Sequence, residues 1–130
     1  MDRSADWLRQ AKRDLEKAKF DLNHKYYEWA SFTSQQASEK AVKAVYQKMN
    51  KSVRGHSTVK MFEGLRDSFP ATDELFHLAR VLDRYYIEGR YPTGFPEGSP
   101  SDYFDEKIAR EAADAASQIL RFCEDIIRRL

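Results

Sequence analysis

Cysteine is nearly absent from this chain, Cys123 being the only one among 130 residues. That scarcity excludes an intrachain disulfide and any metal site assembled from several thiolates. Cys123 lies beside Phe122 and Ile126 in an apolar stripe, so a small buried hydrophobe is expected there rather than a reactive thiol. Histidine is scarce too: His24, His56 and His77 have no partner at i, i+4 spacing. No glycine-rich phosphate loop, Glu-x-x-His pattern or nucleophile elbow occurs, and no metal or cofactor is expected.

Long apolar runs are missing as well. No stretch approaches the roughly 18 uninterrupted apolar residues of a membrane span, and the charged start, Met1-Asp2-Arg3, lacks the apolar core of a signal peptide. A cytoplasmic protein with no membrane association is expected. Nor is there an excess of either charge, since 22 Lys and Arg stand against 21 Asp and Glu. A net +1 generates no field that would steer the whole molecule to nucleic acid or to anionic lipid, so binding of that kind needs a local patch.

What the chain does contain is helical periodicity. At 42% hydrophobic and 33% charged, with only five glycines and four prolines, it is suited to one globular domain spanning 1–130. Leu8, Ala11, Leu15, Ala18 and Leu22 recur every three or four residues and predict a first helix over 3–23. Trp29, Phe32, Gln36, Ala37, Ala41, Ala44, Val45 and Met49 predict a second over 28–49. Gln36 and Lys40 sit on or beside its packing face, as a satisfied amide and a snorkelling stem. Its alanines permit close approach of a neighbour, either the first helix or another chain.

A breaker segment, 50–56, precedes a short helix capped by Ser57 or Thr58 and ended by Pro70. Thr72 caps a fourth helix bearing Leu75, Leu78, Ala79, Leu82 and Tyr86, with Asp73 and Glu74 in its first turn. Gly89 and Pro92 stop it, and 93–101 reads as an irregular loop. A last helix from about Asp102 carries Phe104, Ile108, Ala112, Ala115, Ile119, Phe122, Ile126 and Leu130. The expected fold is all-α: an antiparallel up-and-down four-helix bundle with one extra short helix.

Packing alone leaves one stretch unexplained. Asp83 to Pro92 crowds Arg84 and Arg90 among Tyr85, Tyr86 and Tyr91 where a helix gives way to a loop. Arginine forks hold phosphate and aromatic faces stack bases, which makes Arg84, Tyr85, Arg90 and Tyr91 the candidate ligand-binding residues. The structural alternative is equally plain: Arg90 pairs with Asp83 or Glu39, and the tyrosines plug the bundle end. Lys51, Arg54 and His56 form a second basic cluster, read as a solvated loop with His56 capping or orienting the next helix.

Two runs carry a resemblance. Trp29 to Val45, containing Gln35-Gln36-Ala37-Ser38-Glu39-Lys40-Ala41 and followed by Gly55-His56-Ser57, is similar to the HEPN domain family, as is Ala79 to Pro92 with its Asp-Arg-Tyr-Tyr and Arg-Tyr-Pro elements. The likeness covers essentially the whole chain. It implies a helical bundle that homodimerises and partners a small nucleotidyltransferase protein in a toxin-antitoxin-like pair; the residue chemistry adds nucleotide or RNA phosphate as the expected ligand near Arg84 and Arg90.

Many members of that family are metal-independent ribonucleases with an arginine followed, after four to six residues, by a histidine. Here no histidine follows an arginine at that distance, and Arg90 is followed across the window by Phe95, Pro96 and Glu97. An interaction module without catalytic residues is therefore the leading expectation. The alternatives are a divergent ribonuclease using Arg90 with Tyr91, Glu97 or His56, and a purely structural dimer without ligand.

Overall fold

The computed structural model describes residues 1–130 and contains six α-helices and no strand. They are α1 (Ser4–Asn23), α2 (Tyr27–Lys48), α3 (Thr58–Gly64), α4 (Asp73–Glu88), α5 (Pro100–Tyr103) and α6 (Glu106–Arg129), with one 3-10 turn at Pro92–Gly94. No helix is long and apolar enough to cross a membrane.

α2 is the axis of the molecule, because it packs against every other helix. Its alanines explain this: Ala30, Ala37, Ala41 and Ala44 are all fully buried, so backbones close in on both sides. The neighbours that use this approach are chiefly α1 and α6. Ala11, Leu15 and Ala18 of α1 and Ala112, Ala116, Ile119, Cys123 and Ile126 of α6 are buried in the core they share with α2. The buried stripe of α6 is broader than expected, since Ala109, Ala113, Ala116 and Leu120 join it, whereas the terminal Leu130 is half exposed. Cys123 is wholly buried, and burial pushes its thiol pKa up steeply.

The short α3 contributes more core than its length suggests. Met61, Phe62 and Leu65 are buried to within 2% and pack with Phe76 and Leu82 of α4. Burial of each large side chain stabilises the fold by about 1.5–3 kcal/mol. Caps fix the helix starts: Lys60 donates its backbone N–H to Ser57 Oγ at 3.1 Å, and Leu75 donates to Thr72 Oγ1 at 3.1 Å.

The last helix begins later than its apolar period predicts. Ser99 and Asp102 form a capping box around a single separate turn, α5, after which Phe104 is extended and Asp105 caps a fresh start by accepting from Ile108 N–H at 2.8 Å. Two caps, Ser99 just before Pro100 and Asp105 just after Phe104, split what periodicity reads as continuous. The bundle thus carries two short helices rather than one.

The two polar intruders of α2 are resolved differently. Lys40 reaches Asp14 of α1 at 2.5 Å, and Gln36, half-buried, donates to Gln35 Oε1 at 2.7 Å. The deeply buried amide is Gln35, and beside it lies a buried carboxylate, Glu39.

Candidate functional site

α1 ends, α2 begins, α4 ends and α6 begins at one end of the bundle, and the unexplained stretch lies there. Gly89 makes the arrangement possible: a Cβ on it would meet Tyr85 O at 2.9 Å, Glu28 O at 3.1 Å and Phe32 Cβ at 3.1 Å. Only a glycine lets the exit of α4 lie against the start of α2 in this way. The next residue, Arg90, is consequently delivered onto the aromatic side chains of both helices.

The Arg90 guanidinium carbon sits 4.5 Å from the ring centres of Phe32 and Tyr86 and 4.9 Å from that of Tyr91. Its Nε donates to Tyr86 O at 2.9 Å. The two carboxylates that sequence offered as its partners are both engaged elsewhere. Asp83 accepts from Thr58 N–H at 3.0 Å and from Val59 N–H and Ser57 Oγ, each at 3.1 Å, while Glu39 holds His56. Arg90 keeps its charge unpaired, held by rings and by one carbonyl. Beside it lies a shallow cleft of about 180 Å³ lined by Glu28, Trp29, Ser99, Pro100 and Ser101.

His56 completes the face. Its ring stacks on Tyr86 with centres 4.2 Å apart and planes 21° from parallel. Its Nδ1 donates to Glu39 Oε1 at 2.9 Å, and Gln35 Nε2 donates to its backbone oxygen, also at 2.9 Å. Glu39 is 4% exposed, and its other oxygen receives Lys43 Nζ at 3.3 Å. A buried carboxylate stripped of water needs such partners, and here it has three: His56, Lys43 and, at 3.5 Å, Gln35.

The remaining candidates fall elsewhere. Tyr85 points away from Arg90 and packs edge-on against Phe104 at 5.2 Å, and burial raises its phenol pKa despite the opposing charge of Arg84. Arg84 is exposed and loosely paired with Glu88 at 3.6 Å. Tyr91 is half exposed and does border Arg90. Lys51 and Arg54 are exposed and take no part in the His56 contacts; Lys51 lines a separate shallow depression with Met1, Gln47, Asn50 and Ser52. Of the second cluster, therefore, only His56 reaches the Arg90 face.

Gln35, Glu39, Tyr86 and Phe32 are not among the residues that the sequence marks as candidates for this site. A signal for the first two exists: Gln35, Ser38, Val42 and Val45 follow helical spacing, so Gln35 and the adjacent turn carrying Glu39 share the face of two fully buried valines. Polar groups on such a face must find partners inside.

Comparison with known proteins places the chain in a family and a fold. The profile of the HEPN domain matches residues 4–126. TT1696 from Thermus thermophilus is 36% identical, with 97% of this chain and 99% of that one covered and a TM-score of 0.94. The archaeal HEPN homologue ST0689 is 37% identical over 98% and 99% of the two chains, with a TM-score of 0.83. An HEPN domain protein from Thermotoga maritima is 40% identical over 95% and 98%, with a TM-score of 0.79. No curated protein matches the chain. A profile spanning almost every residue, together with whole-chain structural likeness at this identity, shows that the chain belongs to the HEPN domain family.

Proposed function

We propose that the chain is a single HEPN-type interaction module, 1–130, working in the cytoplasm as a homodimer paired with a small nucleotidyltransferase in a toxin-antitoxin-like couple. It recognises a nucleotide or RNA phosphate at Arg90. The observation that carries the recognition is the unpaired Arg90 guanidinium, stacked among Phe32, Tyr86 and Tyr91 at the edge of an open cleft. A guanidinium held by π-faces keeps its outer N–H groups free for a phosphate, and the neighbouring exposed Trp29 and Tyr91 offer faces for a base.

The association half rests on where apolar surface is left uncovered. Eight large hydrophobic side chains are exposed; apart from the terminal Met1 and Leu130, they are Phe20, Tyr26, Trp29, Ile87, Tyr91 and Tyr103. All six lie at the bundle end that carries Arg90. Apolar groups gathered in this way are the mark of a surface that another protein covers. The nucleotidyltransferase as that protein rests on the family resemblance.

The recognition is tested by calorimetric titration of nucleotides against the wild type and two arginine variants. Arg90→Ala abolishes binding while Arg84→Ala leaves it within about threefold, as expected for an exposed charge at the rim. Equal loss in both variants would point to a diffuse charge effect. Sizing at micromolar concentration tests the dimer, and pull-down from the native host, looking for a nucleotidyltransferase, tests the pair; a monomer that co-purifies with nothing would sink both.

A further inference from the structure

The cleft beside Arg90 is a seam between two bodies. Glu28, Trp29 and Arg90 on one wall belong to the bundle or to the exit of α4, whereas Ser99, Pro100 and Ser101 on the other belong to the connection between α4 and α6. That connection is bonded to itself. From Pro92 to Phe104 every hydrogen bond stays within the segment or ends on Tyr91, its neighbour in the chain. Gly94 donates to Tyr91 O, Phe95 to Pro92 O, Asp102 to Ser99 O and Phe104 to Pro100 O, while Ser99 N–H reaches Asp102 Oδ2 and Tyr103 Oη reaches Glu97 O. Two rings close the unit: Phe95 and Tyr103 stack 4.1 Å apart with planes 7° from parallel, and Gly98, at a φ of +79°, makes the reversal between them.

Packing alone holds this unit to the helices. The turn at Pro92–Gly94 lies along Glu88, α5 meets α2 with Pro100 buried, and Phe104 sets its ring edge-on to Tyr85. Both joints are free to bend. Tyr91 and Phe104 are extended and lie outside any helix, Pro92 has no N–H to tie down, and Asp105 caps α6 as a fresh start. A rotation at either joint therefore breaks no hydrogen bond of α4 or α6. An element stitched internally and held externally by a few contacts is suited to move as one piece.

We infer that Pro92–Phe104 is a lid on the Arg90 cleft, swinging about Tyr91–Pro92 and Phe104–Asp105 and closing over an anion held by Arg90. The closing half rests on the Arg90 reading; the swing does not. Ser99 and Ser101, whose hydroxyls lie 2.9 Å apart on the lid wall, are the donors that closure brings to the anion.

The test places a thiol under the lid and uses inorganic pyrophosphate as the anion. In the full chain carrying Pro100→Cys, the new thiol reacts with a thiol reagent about a hundredfold faster than the buried Cys123 of the same molecule, because the lid opens while the bundle stays closed. Pyrophosphate at about a hundred times its Kd, measured by calorimetry, slows that labelling by about a hundredfold, the effect of a ligand bound by the closed form alone. Arg90→Ala removes the slowing. A second readout leaves the lid unaltered: in Trp7→Phe the remaining tryptophan is Trp29, on the bundle wall, and pyrophosphate shields it from acrylamide quenching. Equal labelling rates at Pro100→Cys and Cys123 overturn the lid and leave the Arg90 site standing. So does bound pyrophosphate that changes neither the labelling nor the quenching. Pyrophosphate that does not bind at all overturns the Arg90 reading and the closing of the lid with it, whereas fast labelling at Pro100→Cys then still upholds the swing.

Discussion

Asp83 on α4 closes the N-terminus of α3, accepting the backbone N–H of Thr58 at 3.0 Å across 25 residues of chain. The same carboxylate takes Val59 N–H and Ser57 Oγ, each at 3.1 Å. A negative charge at the first turn satisfies orphan donors and opposes the positive end of the helix dipole. It also joins α4 to the segment that carries His56. Asp83→Ala is expected to cost about 1–2 kcal/mol, the range for a lost cap with a charge component. Urea denaturation measures it, and Asp83→Asn, which keeps one acceptor oxygen, recovers part of the loss.

Gly89 is predicted to tolerate no side chain. Its φ of −76° is ordinary helical backbone, so the demand is for space and not for conformation. Two backbone oxygens, of Tyr85 and Glu28, stand 2.9 and 3.1 Å from where a Cβ would go, and neither can rotate away. Gly89→Ala should therefore prise α4 from α2 at a cost of about 1–3 kcal/mol, as overpacking does elsewhere. Because Arg90 is the next residue, the variant should also lose the nucleotide binding proposed for Arg90, at temperatures where it remains folded.

The fold was legible in the sequence because alternating spacings of three and four residues mark buried faces directly, and Leu15, Ala41, Leu82 and Ile119 all lie where those spacings put them. The break between α5 and α6 was not, since Phe104 continues the apolar period while the backbone there is extended. The cluster around Arg90 was legible as a place but not as a set of contacts. Spacing cannot say which of two adjacent tyrosines turns inward, nor that Glu39 and His56, 17 residues apart, meet across a turn. Competition for partners was hidden too: Arg90 is free because Asp83 and Glu39 are satisfied first, by backbone N–H groups and by an imidazole.

Cys123 is expected to lower stability at alkaline pH. Burial holds its thiol protonated in the folded state, whereas an unfolded cysteine ionises above about pH 8.5. The folded pKa is the higher one, so the folded state retains a proton that the unfolded state releases, and stability falls as pH rises above that point. The half-buried phenol of Tyr85, also raised, adds to the slope from about pH 10. Each such proton steepens the decline by about 1.4 kcal/mol per pH unit. Cys123→Ala should flatten the loss between about pH 9 and 10, measured by denaturant titration at each pH. In the wild type, reaction with a thiol reagent should proceed only as fast as the chain opens.

Tyr85 and Tyr86 are adjacent in sequence and opposite in consequence. Tyr85 packs inward against Phe104, and its removal leaves a void beside α6. Tyr86 is half-buried, stacks with the His56 ring and lies against the Arg90 guanidinium. Tyr85→Ala should cost about 3 kcal/mol of stability, in the range for truncating a packed aromatic residue, and leave nucleotide affinity unchanged in the molecules that stay folded. Tyr86→Ala should cost about 1–2 kcal/mol, the worth of one stacked ring and one cation–π contact, yet lower affinity at least tenfold because Arg90 loses that support. Urea denaturation paired with titration of the same preparations separates the two effects. Affinity that follows stability in both variants would mean that Tyr86 is only another packing residue.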